Sequence, residues 1–213
     1  MAARDYGQYG GVARSLELVG ERWALLIVRD LLVGPRRYSE LAAGLPRIPS
    51  NILATRLREL QEGGVLRRVP HSRVIVYELT EVGRALEPAV LALGAWGLAA
   101  LGAPRDDQVA TADSLTMDLR SAFRPAVAAG LPPTAYAARF GTAELHIRVR
   151  GAALEVERGG GECDLAFAAG PDIRSLISGE LAPELAIATG VVEVLRGRGR
   201  LLTRFATTFR LVA

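Results

Sequence analysis

Residues 36–79 read RRYSELAAGLPRIPSNILATRLRELQEGGVLRRVPHSRVIVYEL, and this stretch decides the fold of the first half of the chain. Apolar residues return at helical spacing over residues 38–43 and again after Ser50, which is expected to cap a longer helix that runs to residue 61 or 62. The two predicted helices are joined by a short turn that begins at Gly44-Leu45-Pro46.

Gly63-Gly64 then ends the longer helix, and two apolar runs follow at residues 65–70 and 73–79. Their composition predicts two short strands joined by a tip at His71-Ser72. A helix, a turn, a second helix and a two-stranded hairpin are together the parts of a winged helix-turn-helix domain.

Further helices are predicted on both sides of this segment. Before it, helical spacing predicts helices over residues 12–19 and 22–33, with the apolar residues Trp23, Leu26, Ile27 and Leu31 on one side of the second. After it, Thr80 is expected to cap a long helix that bends at Pro88.

The longer helix of the central segment has two different faces, because successive residues advance by about 100°. One face is apolar and is expected to be buried: Leu53, Leu57, Leu60. The opposite face carries hydrogen-bonding side chains: Asn51, Thr55, Arg58. An amide suits adenine, a guanidinium suits guanine and a threonine methyl packs on thymine, so this face predicts contact with the major groove of double-stranded DNA. A solvated helix surface is the alternative, and Arg56 is expected to form an internal ion pair.

Other candidate DNA contacts surround this helix. Arg36 and Arg37 precede a helix N-terminus, where phosphate is favoured, although surface solubility is an alternative reason for their presence. Ser50 at the start of the longer helix belongs to the same set. At the wing tip, His71 and Arg73 are predicted to reach phosphate or the minor groove.

Composition indicates a folded protein with an arginine-based surface. The 213 residues include 26 basic and 23 acidic side chains, and every basic one is arginine. A planar guanidinium suits phosphate and guanine, although GC-rich codon usage also explains the lack of lysine. Up to residue 104 there are 13 arginines and 10 acidic residues, against 13 and 13 beyond it. One cysteine, no apolar run of roughly 18 residues and no export signal predict a cytoplasmic protein.

In the second half of the chain, the spacing of apolar residues changes from helical to alternating. A polar stretch predicts a linker at residues 104–113, between a domain at 1–103 and a domain at 114–213. After a helix at 114–129, apolar and polar residues alternate through 134–168, which predicts an antiparallel sheet with one apolar face. The elements expected to follow are helices at 172–178, 183–189 and 200–210 and a strand at 191–195.

Six separated motifs of the first half resemble the HxlR family of bacterial winged-helix regulators: Tyr6-Gly7-Gln8-Tyr9, Val12-Ala13-Arg14, Gly20-Glu21-Arg22-Trp23, Gly34-Pro35-Arg36-Arg37-Tyr38, Arg56-Leu57-Arg58-Glu59-Leu60 and Tyr77-Glu78-Leu79-Thr80. The resemblance covers about residues 6–101. It implies a homodimer built through the first helix and the helix after the wing, with one recognition helix per half-site. Family members commonly carry a sensing cysteine just after the first motif, whereas this chain has Gly10-Gly11 there.

Residues 114–211 resemble a sterol-carrier-protein-like domain in their alternating stretch, in Pro171-Asp172 at a helix start, and in Leu176-Ile177-Ser178-Gly179 and Gly190-Val191-Val192-Glu193-Val194. The resemblance implies an apolar cavity between a sheet and its helices. Candidate lining residues by periodicity are Phe123, Tyr136, Phe140, Leu176, Phe205 and Phe209, and plain core packing is the alternative. The expected fold is therefore α+β: an N-terminal winged helix-turn-helix domain plus a C-terminal antiparallel sheet covered by helices.

These features favour a DNA-binding transcriptional regulator that acts as a homodimer and is modulated by an apolar small molecule. The alternative is a lipid-binding or lipid-transfer protein that uses the winged helix only to dimerise. Neither an enzyme nor a cofactor is expected, because the two histidines and one cysteine show no catalytic or metal-ligand spacing. Cys163, which alternates with Leu165 and Phe167, is expected to be a small buried hydrophobe.

Overall fold

A computed structural model describes residues 5–102, 105 and 107–211 of the chain. The chain divides into two compact units, Met1–Val90 and Leu91–Ala213. The domain limits expected from the sequence, with a linker at 104–113, remain a prediction, and positions 104 and 106 of that linker lie outside the described residues.

The first unit contains the predicted helix-turn-helix and wing. Its helices are α1 (Gly11–Val19), α2 (Ala24–Val33), α3 (Tyr38–Gly44), α4 (Ser50–Glu62) and α5 (Glu81–Arg84), and its strands are β1 (Leu66–His71) and β2 (Val74–Leu79). Helix α6 (Glu87–Ala99) contains the boundary between the units. The strands pair antiparallel, from Leu66 opposite Leu79 to His71 opposite Val74.

The apolar residues of α2 and α4 form much of the core of this unit. The predicted leucine face of α4 is confirmed, because Leu53, Leu57 and Leu60 are exposed by 0, 2 and 1%. In α2 the buried side chains include Ile27 and Val28, whereas Leu26, which was expected on the same side as Ile27, is 38% exposed. Burial of a leucine side chain stabilises a fold by about 1.5–3 kcal/mol, so α4 is firmly held.

Three boundaries differ from the sequence expectation for local reasons. Helix α2 starts at Ala24 because Trp23 adopts a left-handed backbone with φ 81°. The wing turn lies at residues 72–73, one residue later than expected, because His71 still pairs with Val74. The helix after Thr80 breaks at residues 85–86 instead of bending at Pro88, since proline lacks the N–H that would continue the helical bonds but is tolerated in a first turn.

The second unit is a five-stranded mixed sheet with helices. The helices are α7 (Ala112–Ala122), α8 (Pro125–Ala128), α9 (Ile173–Ser178), α10 (Pro183–Ala188) and α11 (Leu201–Thr208). The strands are β3 (Thr134–Phe140), β4 (Ala143–Arg150), β5 (Ala153–Arg158), β6 (Leu165–Ala169) and β7 (Val192–Gly197), in the order β5-β4-β3-β6-β7. Helix α7 begins before the expected residue 114, because Thr111 and Ser114 cap each other's backbone N–H groups at 3.2 and 2.9 Å.

The expectation of a wholly antiparallel sheet is wrong at one pair of strands. Strand β6 runs parallel to β3, from Tyr136 opposite Leu165 to Phe140 opposite Ala169, while the other neighbouring pairs are antiparallel. Alternation of polar and apolar residues specifies which side chains share a face, and it carries no information on the direction of the neighbouring strand. A parallel neighbour requires a crossover, and residues 159–164 supply it.

This crossover covers His146 on the face of the sheet that the sequence predicts to be wet. The imidazole Nε2 of His146 lies 2.8 Å from the carbonyl oxygen of Glu162, and the residue is 9% exposed. On the other side of the ring, Arg148 approaches Nδ1 at 3.2 Å and donates hydrogen bonds to Glu155 and Glu157. Those bonds hold the pKa of the Glu157 carboxyl below its usual range.

Cys163 lies in the same crossover and not in the core, which corrects the expectation of a buried hydrophobe. It is half-buried, and the guanidinium of Arg196 lies 3.3 Å from its sulfur. The alternation that suggested an inward position begins only at Leu165, where β6 starts.

Two neighbouring glycines of the crossover are expected to respond differently to substitution by alanine. A Cβ at Gly161 would lie 2.7–3.0 Å from three atoms of the His146 ring, whereas a Cβ at Gly160 would meet no heavy atom of the described residues within 4 Å. We expect Gly161→Ala to lower the free energy of unfolding by about 1–3 kcal/mol through overpacking. Gly160→Ala is the control and should leave it within about 0.5 kcal/mol. Urea denaturation followed by circular dichroism measures both, and equal values for the two variants would contradict the close packing.

Candidate nucleic-acid interface

The outward face of α4 carries the candidate recognition side chains. Asn51 and Arg58 are both exposed, on the side opposite the buried leucines. Ala54 and Gln61 are exposed on the same side of the helix. The helix therefore presents an amide, a methyl group and a guanidinium within its first three turns, on a scaffold that is fixed from behind.

Thr55, the third residue expected on this face, is placed differently from its neighbours. It is half-buried, and its hydroxyl donates a hydrogen bond to the carbonyl oxygen of Asn51 at 2.9 Å. A hydroxyl that bonds back to the preceding helical turn is occupied within its own helix.

Arg58 is held only weakly by its own helix. Its Nε lies 3.9 Å from a carboxylate oxygen of Glu62, and the two side chains are 59% and 70% exposed. An exposed pair of this kind is worth about 0–1 kcal/mol, so the guanidinium reorients at little cost.

Arg56 has the opposite character, and the expected internal ion pair is confirmed. Its guanidinium lies 2.9 Å from a carboxylate oxygen of Glu21 and also contacts Glu59, with only 11% of its side chain exposed. The contact with Glu21 ties α4 to the segment between α1 and α2 and opposes rotation of α4 about its axis. Glu59 lies within α4 itself and holds the guanidinium in place along the helix.

The start of α4 is fixed by a hydrogen bond that could not be predicted from the sequence. Pro49, not Ser50, is the N-cap, and Ser50 is the first helical residue. The Tyr38 hydroxyl, at the first residue of α3, donates a hydrogen bond to the carbonyl oxygen of Ser50 at 2.8 Å. This bond connects the two helices across the turn. A tyrosine at a helix start gives no sequence signal for a partner twelve residues away.

The two arginines before α3 differ in their backbone partners and in their exposure. Arg36 pairs with Tyr77 through backbone hydrogen bonds of 3.0 and 2.7 Å, which form a single antiparallel β-bridge to the wing. Its side chain is half-buried, and Nη1 lies 2.9 Å from the carbonyl oxygen of Pro35. Arg37 is exposed, and its backbone N–H donates to the carboxylate of Glu40 at 2.6 Å.

The wing tip presents His71 and Arg73, which are both exposed. Along the strands, Arg67 forms an ion pair with Glu78 at 2.6 Å, and the guanidinium of Arg68 lies 5.9 Å from the ring centroid of Tyr77. A histidine and an arginine at the end of a hairpin are suited to phosphate oxygens or a narrow groove.

The candidate ligand-lining residues of the second unit lie in its core. Five of the six are 8% exposed or less, and Phe123 packs against them. The ring centroid of Phe205 lies 5.3 Å from that of Tyr136 and 4.7 Å from that of Phe209. It also lies 5.1 Å from the ring centroid of Phe167, a residue that was not among the predicted lining residues. Burial raises the pKa of Tyr136 to about 12.

The described residues contain neither a cluster of metal ligands nor a membrane-spanning helix. Among the described residues, the histidine, cysteine and acidic side chains form no group of three or more that is suited to a metal ion. Within the same residues, every helix is too short or too polar to cross a membrane.

Comparison with known proteins identifies the region that contains this interface. The profile of the HxlR-like helix-turn-helix family matches residues 18–104. The chain is 49% identical over 89 residues to the HTH-type transcriptional regulator Rv3095 of Mycobacterium tuberculosis, an alignment that covers 40% of this chain and 56% of that protein. It is 38% identical over 86 residues to the regulator YvaP of Bacillus subtilis, covering 39% of this chain and 80% of YvaP.

A third curated relative is the regulator YodB of Bacillus subtilis, which is 36% identical over 85 residues, covering 38% of this chain and 76% of YodB. Among solved structures, that of the HTH-type regulator ytcD is 36% identical, with a TM-score of 0.41, and covers 43% of this chain and 96% of ytcD. The chain thus spans about half the length of the mycobacterial relative and most of the two relatives from Bacillus.

Proposed function

The chain belongs to the HxlR-like helix-turn-helix family, and on this premise we propose that it is a DNA-binding transcriptional regulator that acts as a homodimer. The observation that carries the proposal is the outward face of α4, where Asn51 and Arg58 stand exposed on a helix anchored by buried leucines. The relatives that match this region are HTH-type transcriptional regulators. Such a protein acts in the cytoplasm, where bacterial DNA lies.

In this proposal two sets of side chains divide the work on DNA. Arg37, His71 and Arg73 contact phosphates, which supplies affinity and fixes the position of the domain on the duplex. Asn51 and Arg58 contact base edges in the major groove, where an amide bridges adenine and a guanidinium bridges guanine. Ser50 and Arg36 lie beside these groups and serve chiefly through their backbones, in α4 and in the wing.

Exposed apolar side chains support the homodimer. In and just before α1, Tyr9, Val12 and Leu16 are 111%, 77% and 44% exposed. In α6, Leu93 and Trp96 are 50% and 74% exposed. Tyr9, Val12 and Leu16 follow one another at helical spacing, so each set offers an exposed apolar strip of the kind that marks interaction sites. A symmetric dimer would place two recognition helices about 34 Å apart on a near-palindromic site.

The second unit is proposed to tune this dimer by holding an apolar small molecule. The residues that would surround it, Tyr136, Leu176, Phe205 and Phe209, form an apolar core of matching chemistry, but they pack against one another, so a ligand would have to displace part of this packing to enter. A ligand changes DNA binding only if it binds the DNA-ready and the DNA-incompetent dimer with different affinities.

A fluorescent fatty acid tests this part of the proposal. We expect the protein to bind it saturably, an apolar competitor to displace it, and the affinity for DNA to shift when the protein is saturated with the fatty acid. Displacement without any sequence-selective DNA binding would instead favour a lipid-transfer protein.

Arg58→Ala tests the recognition face. Loss of a bidentate contact to guanine should weaken binding to the preferred site by about 1–3 kcal/mol and abolish selectivity at one base pair. The measurement is mobility shift at several salt concentrations, on the preferred site and on variants of each base pair.

The matched control for this change is Arg150→Ala, which removes the same charge from an exposed position of the second unit. It should leave base selectivity unchanged. If Arg58→Ala lowered affinity equally for every sequence, the arginine would be a phosphate contact and not a base reader. Equal affinity of the unaltered protein for all sequences would overturn the regulator proposal itself.

Val12→Asp tests the dimer. A carboxylate at this 77% exposed position of α1 would have to be desolvated in the interface, so we expect the dimer to dissociate at least tenfold more readily. Sedimentation equilibrium measures the change. Val109→Asp, at another exposed valine with 69% exposure, is the control and should not alter the dissociation constant. A monomeric unaltered protein, or equal dissociation constants for the two variants, would contradict this interface.

A further inference from the structure

We propose that Ala54 is a specificity-determining residue, whose methyl group packs against the C5-methyl group of a thymine in the major groove. The inference rests on the proposed function and goes further, because it names a base that the half-site must contain. It also reassigns the apolar contact, which the sequence pattern gave to Thr55.

The first support is the position of Ala54 on the recognition face. Successive residues of a helix are about 100° apart around its axis and about 1.5 Å apart along it. Ala54 is therefore separated from Arg58 by about 40° around the axis and about 6 Å along it, and from Asn51 by about 60° and about 4.5 Å. All three are exposed. Ala54 therefore lies between Asn51 and Arg58 along the axis and about 50° to one side of them around it, while Thr55 lies about 50° to the other side. Their exposure decides which of the two methyl groups is better placed to reach a base edge, and Ala54 is the exposed one.

The second support is the state of Thr55. Its hydroxyl is committed to the carbonyl oxygen of Asn51 at 2.9 Å, and the residue is half-buried, at the border of the exposed face. Ala54 is thus the more accessible methyl group. Among the four bases in the major groove, thymine alone presents a methyl group to receive it.

The third support is the rigidity of this turn of the helix. Leu53, next to Ala54, is fully buried, and the Tyr38 hydroxyl holds the Ser50 carbonyl oxygen at 2.8 Å, one turn earlier. A methyl contact is short and non-directional, so it discriminates only if the backbone that carries it cannot move away. A small side chain here also lets the helix approach the base edges closely.

The experiment uses the full chain and a DNA site selected from a random duplex pool. Each thymine of that site is replaced in turn by deoxyuridine, which lacks only the C5-methyl group. For the unaltered protein we expect a loss of affinity of about three- to tenfold at one thymine per half-site, the size of a buried methyl contact, and little change elsewhere.

Two variants then identify the side chain that makes the contact. For each variant, the affinity for the site with thymine is divided by the affinity for the site with deoxyuridine at that position. In Ala54→Gly, this ratio of affinities should fall to about one. In Thr55→Ser, which removes a methyl group and keeps the hydroxyl, the ratio should be unchanged. Each ratio compares two DNAs with the same protein, so a loss of helix stability in the glycine variant cancels.

The outcomes separate this inference from the function on which it rests. If the site contains no thymine-specific position, or if the ratio survives in Ala54→Gly, the role of Ala54 is refuted while selective DNA binding stands. If the ratio falls in Thr55→Ser instead, Thr55 makes the methyl contact. If the unaltered protein selects no sequence, both the regulator proposal and the inference are overturned.

Discussion

Burial of one side of α4 is the constraint on which the interface depends. Leu53, Leu57 and Leu60 are each exposed by 2% or less, and they fix the rotation of the helix about its axis. The ion pair of Arg56 with Glu21 holds the flank of the helix in place. With the helix fixed from behind, the outward side chains proposed to contact DNA would bind without an ordering cost for the backbone, which is the general advantage of a preorganised binding surface.

The same separation of roles holds within the proposed interface. Side chains that fix the scaffold, such as Arg56 and Tyr38, are engaged by protein partners. Side chains proposed to contact DNA, such as Arg58 and Arg73, are exposed, and the ion pair of Arg58 with Glu62 is long at 3.9 Å. An arginine that exchanges a weak surface pair for a guanine loses little on binding, whereas a buried pair would have to be broken at a cost of several kcal/mol.

Much of this architecture could be predicted from the sequence, because it rests on local periodicity. Helical spacing located α1 to α4 to within two residues, and alternation located β3 to β6 and their apolar face. What could not be predicted depends on contacts between distant parts of the chain or on one residue's backbone. Three such features give no periodic signal in the sequence: the left-handed backbone of Trp23, after which α2 begins, the hydrogen bond from the Tyr38 hydroxyl to Ser50, and the β-bridge of Arg36 to the wing.

The sequence by itself determined which residues of α4 turn inward and which turn outward, because a helix repeats every 3.6 residues whatever surrounds it. Only the tertiary structure decided the parallel pairing of β3 with β6 and the burial of His146 under the crossover, because alternation specifies faces and not neighbours. It also decided that Thr55 lies at the border of the exposed face and Ala54 within it, since the packing around α4 sets how far exposure extends on each side of the helix.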